Sequence, residues 1–224
     1  MSAVPVIAID GPSASGKGTV AQRVADTLGF HYLDSGAIYR LTALAAQRQS
    51  VQWQDEAQVA AIAATLDVRF DGAAIHLAGS NVTEAIRSEE IGSGASVVAA
   101  LPAVRAALLA RQHAFAQAPG LVADGRDMGS TVFPAAPLKV FLTASAEARA
   151  ERRYRQLLAR GEAADLAAIT ADLHARDERD RARAVAPLQQ LPDARLLETT
   201  AMGVDEAVAQ VLSWWNATIN TPSA

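Results

Sequence analysis

A short apolar run, Val6-Ile7-Ala8-Ile9, stops at Asp10 and opens into Gly11-Pro12-Ser13-Ala14-Ser15-Gly16-Lys17-Gly18-Thr19. Helical periodicity follows, from Thr19 to Leu28, and Gly29 is a natural stop. Strand, glycine-rich turn, lysine and helix in this order are the setting of a phosphate-binding loop. The glycines let backbone amides curl around an anion, and the helix start adds unpaired N–H groups and the positive end of its dipole. Lys17 supplies a mobile positive charge for a phosphate. The residue after Lys17 is Gly18, where this loop usually carries a hydroxyl for magnesium. That leaves Thr19 to take the place, directly or through water.

The rest of the chain supplies the sheet such a loop needs. Buried strands are expected at 31–33, 121–123, 139–142 and 195–197, with helices at 37–47, 56–65, 104–116, 146–158, 165–184 and 205–215. Repeated strand-helix units imply an α/β fold, a five-stranded parallel sheet flanked by helices. The segment 66–96 breaks the pattern. Val68-Arg69-Phe70 and Ile75-His76-Leu77 flank a tight turn at Asp71-Gly72 and read as a hairpin, hence as a small β-containing insertion in one domain spanning 1–224.

Composition narrows the partners. The 224 residues hold no cysteine, which removes disulfides and thiolate metal sites. The N-terminus lacks the pattern of a signal peptide, and no apolar run is long enough to span a bilayer, so a cytoplasmic protein with no membrane partner is expected. The formal net charge is −4, which argues against nucleic acid as a partner. Yet arginines crowd 149–183, as suits a small anionic ligand. The absence of a large apolar stripe points to a monomer. The four histidines show no metal-ligand spacing.

Asp124 ends the strand at 121–123, on the same sheet edge as the loop, and is a candidate for holding a magnesium-bound water; a turn cap is the alternative. Arg40 and Arg126 both lie beyond strand ends, where a second anion beside a bound triphosphate would need guanidinium forks. Arg176, Asp180 and Arg183 are each about one helical turn apart and share a face.

Four stretches taken together, Gly16-Lys17-Gly18-Thr19, Asp34-Ser35-Gly36-Ala37-Ile38-Tyr39-Arg40, Asp124-Gly125-Arg126-Asp127-Met128-Gly129 and Arg181-Ala182-Arg183-Ala184-Val185-Ala186-Pro187-Leu188, resemble bacterial cytidylate kinases from Ile7 to about Leu212. The resemblance implies an ATP-dependent transfer of phosphate to CMP and dCMP, with Mg2+ accompanying ATP. It implies that Lys17, Arg126 and Arg40 are catalytic. Gly11, Pro12, Ser13, Ala14, Ser15, Gly16, Lys17, Gly18 and Thr19 would bind ATP together with Arg152 and Arg153 of a lid at 149–165. Ser35, Arg40, Ser96, Arg105, Arg126, Asp127, Arg176, Asp180 and Arg183 would bind the acceptor nucleotide, and Thr19 and Asp124 the metal. Ser96, Arg105 and Asp127 would select cytosine, whose exocyclic amine and ring acceptors suit a carboxylate beside an arginine. Ser96 also reads as a helix cap. The insertion looks shorter than in that family around Gly72-Ala73-Ala74. A kinase for AMP, UMP or a sugar acid on the same scaffold, or a nucleotide switch with no acceptor, are the rival readings.

Overall fold

A computed structural model describes residues 4–72 and 74–220; Met1, Ser2 and Ala3 of the expected first strand region and Ala73 of the expected hairpin turn lie outside the described residues. The chain divides into two compact units, 1–33 with 113–224, and 34–112.

The first unit carries the sheet. Strands β1 (Val6–Asp10), β2 (His31–Asp34), β6 (Leu121–Gly125), β7 (Leu138–Thr143) and β8 (Arg195–Glu198) lie in the order β2-β6-β1-β7-β8. All five are parallel, and each lies close to where the apolar runs place it. β1 is central and buried at every residue, which is why it reads as a continuous apolar run. Its neighbours β6 and β7 put Asp10 opposite Gly125 and Phe141. The chain therefore leaves β1 in the crevice where strand order reverses, the usual ligand position in open α/β sheets.

Helix α1 (Lys17–Leu28) buries Val20, Ala21, Val24 and Ala25 against the sheet and against α8 (Val204–Ile219). It ends at Gly29, whose φ of 65° lets its N–H reach back to the carbonyls of Ala25 and Asp26. The core joins Ile7, Ile9, Val122, Val140, Leu142, Leu197 and Val211 to Trp215. Phe30 meets Trp215 edge-on at 5.7 Å, whereas Trp214 lies under the Arg195 guanidinium. Truncating a fully buried residue such as Ile9 to alanine would cost about 2–5 kcal/mol. Helices α6 (Ala146–Ala159) and α7 (Leu166–Ala182) form a smaller cluster through Ala150, Leu157, Ile169 and Leu173. Ala14 of the glycine-rich turn packs on that cluster.

The second unit holds α2 (Ser35–Arg48), α3 (Glu56–Ala64), a three-stranded antiparallel sheet β3 (Val68–Asp71), β4 (Ala74–Leu77) and β5 (Ser80–Asn81), then α4 (Glu89–Val98) and most of α5 (Pro102–His113). The hairpin strands pair as their alternation predicts, Val68 opposite Leu77, and a third short strand joins them. The compact unit is wider than 66–96, because α2 packs along α4 and against α3. Helix α4 was not expected; Gly92, Ser93 and Gly94 speak against a helix by propensity. Packing explains Gly94: a β-carbon there would come within 2.6 Å of the Trp53 ring. Trp53 is itself held by donating from Nε1 to the Ala43 carbonyl at 3.0 Å. Ser88, not Ser96, caps α4, accepting from Ile91 N at 3.3 Å; Ser96 lies within the helix and is buried. Among the described residues no single helix is long and apolar enough to cross a membrane.

Candidate active site

The turn from β1 into α1 has the shape of an anion cradle. Ala14 and Gly16 have left-handed φ values of 57° and 93°, which tip successive amides toward one concave side. Gly11 has no room for a side chain, since a β-carbon would sit 1.9 Å from the Leu142 carbonyl oxygen. Lys17 opens α1 and donates to the Pro12 carbonyl at 3.4 Å, so its ammonium folds back over the loop.

Gly18 also has a local cause. The Asp124 Oδ2 lies 3.0 Å from where a β-carbon at Gly18 would be. A serine or threonine there would run into this carboxylate near the end of β6. Asp124 is buried and accepts from the Tyr32 hydroxyl at 3.3 Å. Thr19 is exposed on the first turn of α1. A carboxylate and a hydroxyl beside a phosphate loop are hard oxygen donors of the kind magnesium takes when it arrives on a nucleotide and keeps several waters. The residues present therefore fit that ion.

Arg126 ties the loop to α7. Its Nη2 donates to Ser13 Oγ at 2.8 Å, its Nε to Asp180 Oδ2 at 2.8 Å and its Nη1 to the Gly125 carbonyl at 3.1 Å. Asp180 is buried and also accepts from Arg183 Nη2. Burial opposes ionisation of Asp180, but Arg126, Arg183 and Arg176 outweigh it and hold the carboxyl below its ordinary range. Burial likewise works against the charge of Arg126, and Asp180 more than restores it. The helix stops at Ala182, so Arg183 follows it with an extended ψ of 132° and does not share the helical face expected of Arg176, Asp180 and Arg183; it meets Asp180 from the helix end. Arg176 reaches Asp172 at 3.4 Å. Asp127, next to Arg126, is buried in the turn that leads into residues 128–132.

The arginines expected to form a lid divide. Arg149 is buried, donating to the carbonyls of Ser13 at 3.0 Å and Ala144 at 3.1 Å and pairing with Asp177 at 2.7 Å. Arg152 donates to the Ser15 carbonyl at 3.0 Å and to Thr199, whose hydroxyl stands 3.4 Å from the same carbonyl. Both grip the outside of the phosphate loop. Arg153 reaches Gln156, Arg155 pairs with Glu151, and Arg160 pairs with Glu162.

In the second unit, Ser35 is the first residue of α2, whose N-cap Asp34 accepts from Ala37 N at 2.9 Å. Arg40 lies further along α2 and donates to the Ile86 carbonyl at 3.0 Å. Arg105 is buried on α5, donates to Tyr39 Oη and the Ala99 carbonyl, and lies over the Tyr39 ring. Asp10 and Thr199 are not singled out by the sequence, Arg149 reads there only as one of the lid arginines, and Asp177, a solvated helix residue by its setting, is buried. Asp10 alone carried a visible signal, a carboxylate closing an otherwise apolar strand.

A sequence model described as cytidylate kinase matches residues 7–217. A cytidylate kinase of Chromobacterium violaceum is 62% identical over 212 residues, 95% of this chain and 96% of the relative. One from Ralstonia pickettii is 59% identical, over 94% of this chain and 91% of the relative. Among solved structures, the Thermus thermophilus protein TT1252 aligns over 98% of this chain and 100% of its own with a TM-score of 0.50 and 20% identity, a likeness of fold.

Proposed function

Since the chain belongs to the cytidylate kinase family, we propose that it transfers the γ-phosphoryl group of ATP to CMP and dCMP, giving the diphosphates, with the donor held by residues 11–19. The observation that carries the residue assignment is the fork of Arg126, which joins Ser13 of the phosphate loop to Asp180 of α7. One guanidinium in that position faces both the migrating phosphoryl group and an acceptor phosphate. It relieves the repulsion between two anions that must approach in line.

Lys17 and the loop amides neutralise charge on the transferred group. Asp124 and Thr19 would hold magnesium, directly or through water, and the ion would supply further charge neutralisation on the nucleotide phosphates. The acceptor phosphate is already an anion at neutral pH, so no protein base is needed. Positioning and electrostatics carry the rate. Arg176, Asp180 and Arg183 serve the acceptor nucleotide. Ser35, Arg40, Ser96, Arg105 and Asp127 complete its binding set, the last three of the five including the groups that read cytosine. Arg40 and Arg126 share the catalytic charge work. Residues 66–96 are the acceptor-binding insertion and 149–165 the lid, with Arg152 and Arg153 on the ATP side. The protein works as a cytoplasmic monomer on small nucleotides, away from nucleic acid and membrane.

Initial rates with MgATP against CMP, dCMP, UMP, AMP, GMP and TMP test the reading. CMP and dCMP should far exceed the rest. Transfer to another nucleotide would keep the kinase and overturn the base-reading group. Lys17→Ala should lower kcat by roughly 10²–10³-fold while leaving CMP binding nearly unchanged; near-normal turnover would refute its placement.

A further inference from the structure

Asp10 is 7% exposed at the end of the central strand. Its two oxygens are each used once: Oδ1 accepts from Met128 N and Oδ2 from Gly129 N, both at 2.8 Å. Those amides directly follow Arg126 and Asp127. The same turn is fixed from its other side, where Thr131 and Val132 donate to the Asp127 carbonyl at 2.9 and 3.1 Å. It has no slack at Gly129 either, because the Lys139 aliphatic carbons stand 3.1 Å from where a β-carbon would lie.

A carboxylate in this position is costly. Burial lifts the Asp10 pKa to about 6 although the Gly129 and Met128 amides pull it down, with Asp127 adding to the rise and Arg126 opposing it. An apolar residue would continue the buried pattern of β1 without that cost. The carboxylate does one thing an apolar residue cannot: it clamps two consecutive amides with both lone-pair sets. We infer that Asp10 is a positioning residue for the acceptor side of the reaction, holding the 126–129 turn so that Arg126 and Asp127 present their side chains to the acceptor nucleotide. This rests on the assignment of Arg126 and Asp127 to that nucleotide.

Asp10 also precedes Gly11, so support of the phosphate loop is the competing role, and the two predict different kinetics. Asparagine keeps the shape of Asp10 but accepts at one oxygen only and turns an NH2 toward the other amide. Asp10→Asn should raise KM for CMP by about tenfold or more, with KM for ATP changed by no more than about twofold. Asp10→Ser, smaller and with a single hydroxyl acceptor, should do the same. Equal rises in both KM values, or no change in either, would overturn the inference. So would loss of folding in both variants, read from circular dichroism and melting, since the carboxylate would then serve the fold. Asp127→Ala is measured alongside. A normal CMP KM in that variant would overturn the underlying assignment; a raised one beside a normal Asp10→Asn would overturn the inference alone.

Discussion

Two groups of arginines on neighbouring turns of one segment behave in opposite ways. Arg149 and Arg152 on α6 reach inward and hold backbone carbonyls of Ser13 and Ser15. Arg155 and Arg160, a turn or two further, make short-range pairs with Glu151 and Glu162 at the surface. Composition treats all of them as one basic cluster. The structure separates a brace from a solvated fringe, and the cause is the packing of α6 on α7 through Ala150, Leu157, Ile169 and Leu173, to which Ala14 of the loop is added. Charge density along a sequence thus says where anions are handled. Which charges are structural depends on the helix face that meets the core.

The comparison breaks most visibly at Arg149. Its side chain is 6% exposed and that of Asp177 3% exposed; Asp177 Oδ2 takes the pair, and Oδ1 accepts no hydrogen bond among the described residues. Arg149→Ala would remove the ion-pair partner of a buried carboxylate and the donor of two backbone carbonyls, at a cost of about 3–5 kcal/mol. Thermal or denaturant unfolding measures this directly. A loss near that of a surface arginine would mean the brace is not one. Arg149→Ala with Asp177→Ala in a double-mutant cycle should recover part of the loss, because the orphaned charge is then gone.

Acid unfolding sharpens the same contrast. Asp180 is held by Arg126 and Arg183, and its pKa is lowered in the folded protein despite burial. A carboxylate with a depressed folded pKa contributes stability that is fully present above the ordinary aspartate range and is lost as pH falls through its folded value. Asp10 has the opposite sign. Its folded pKa of about 6 lies above the ordinary aspartate value of 3.8, so its ionisation costs stability, and that cost disappears as pH falls from above 6 toward 4. The charged groups facing Asp10 are Arg126 and Asp127 of the turn, with the Lys139 stem beside Gly129. Stability measured against pH should therefore show Asp10→Asn removing a component between pH 4 and 6, whereas Asp180→Asn should remove one only below that. A shared window for both would contradict the signs.

Arg152→Lys comes next in size. Lysine keeps the charge but cannot serve the Ser15 carbonyl and both Thr199 acceptors at once, as the guanidinium does. A loss of about 1–3 kcal/mol is expected, with KM for ATP rising more than KM for CMP. If CMP suffers more, Arg152 does not belong to the donor side.

Much of this was legible in the residues, and the gaps have physical reasons. The loop, the five strands and the three-residue step from Asp180 to Arg183 follow from period and spacing, which are local. Helix α4 was hidden because Gly92 and Gly94 oppose helix formation, and only the Trp53 ring against Gly94 shows why glycine is wanted. The glycine after Lys17 departs from the usual loop pattern because the Asp124 carboxylate lies beside it, a residue more than a hundred positions away. Ser96 reads as a cap in sequence, yet Ser88 caps and Ser96 is interior. Arg149 reads only as part of a basic cluster, and Thr199 not at all, since their contacts with Ser13 and Ser15 span 136 and 184 residues.

The smallest effect tests the fringe. The Arg155 side chain is 74% exposed and meets Glu151 at 2.9 Å across one helical turn. Solvent and salt screen such a pair, and holding two long side chains together costs entropy. Arg155→Ala should change stability by no more than about 0.5 kcal/mol and leave KM for CMP untouched. Neither substrate role nor loop carbonyl attaches to this residue, so an alanine that unfolds the protein would merge the two groups of arginines into one. An alanine that raises KM for ATP alone, at unchanged stability, would instead make the fringe part of the donor site and move the boundary between brace and lid from Arg152 to Arg155.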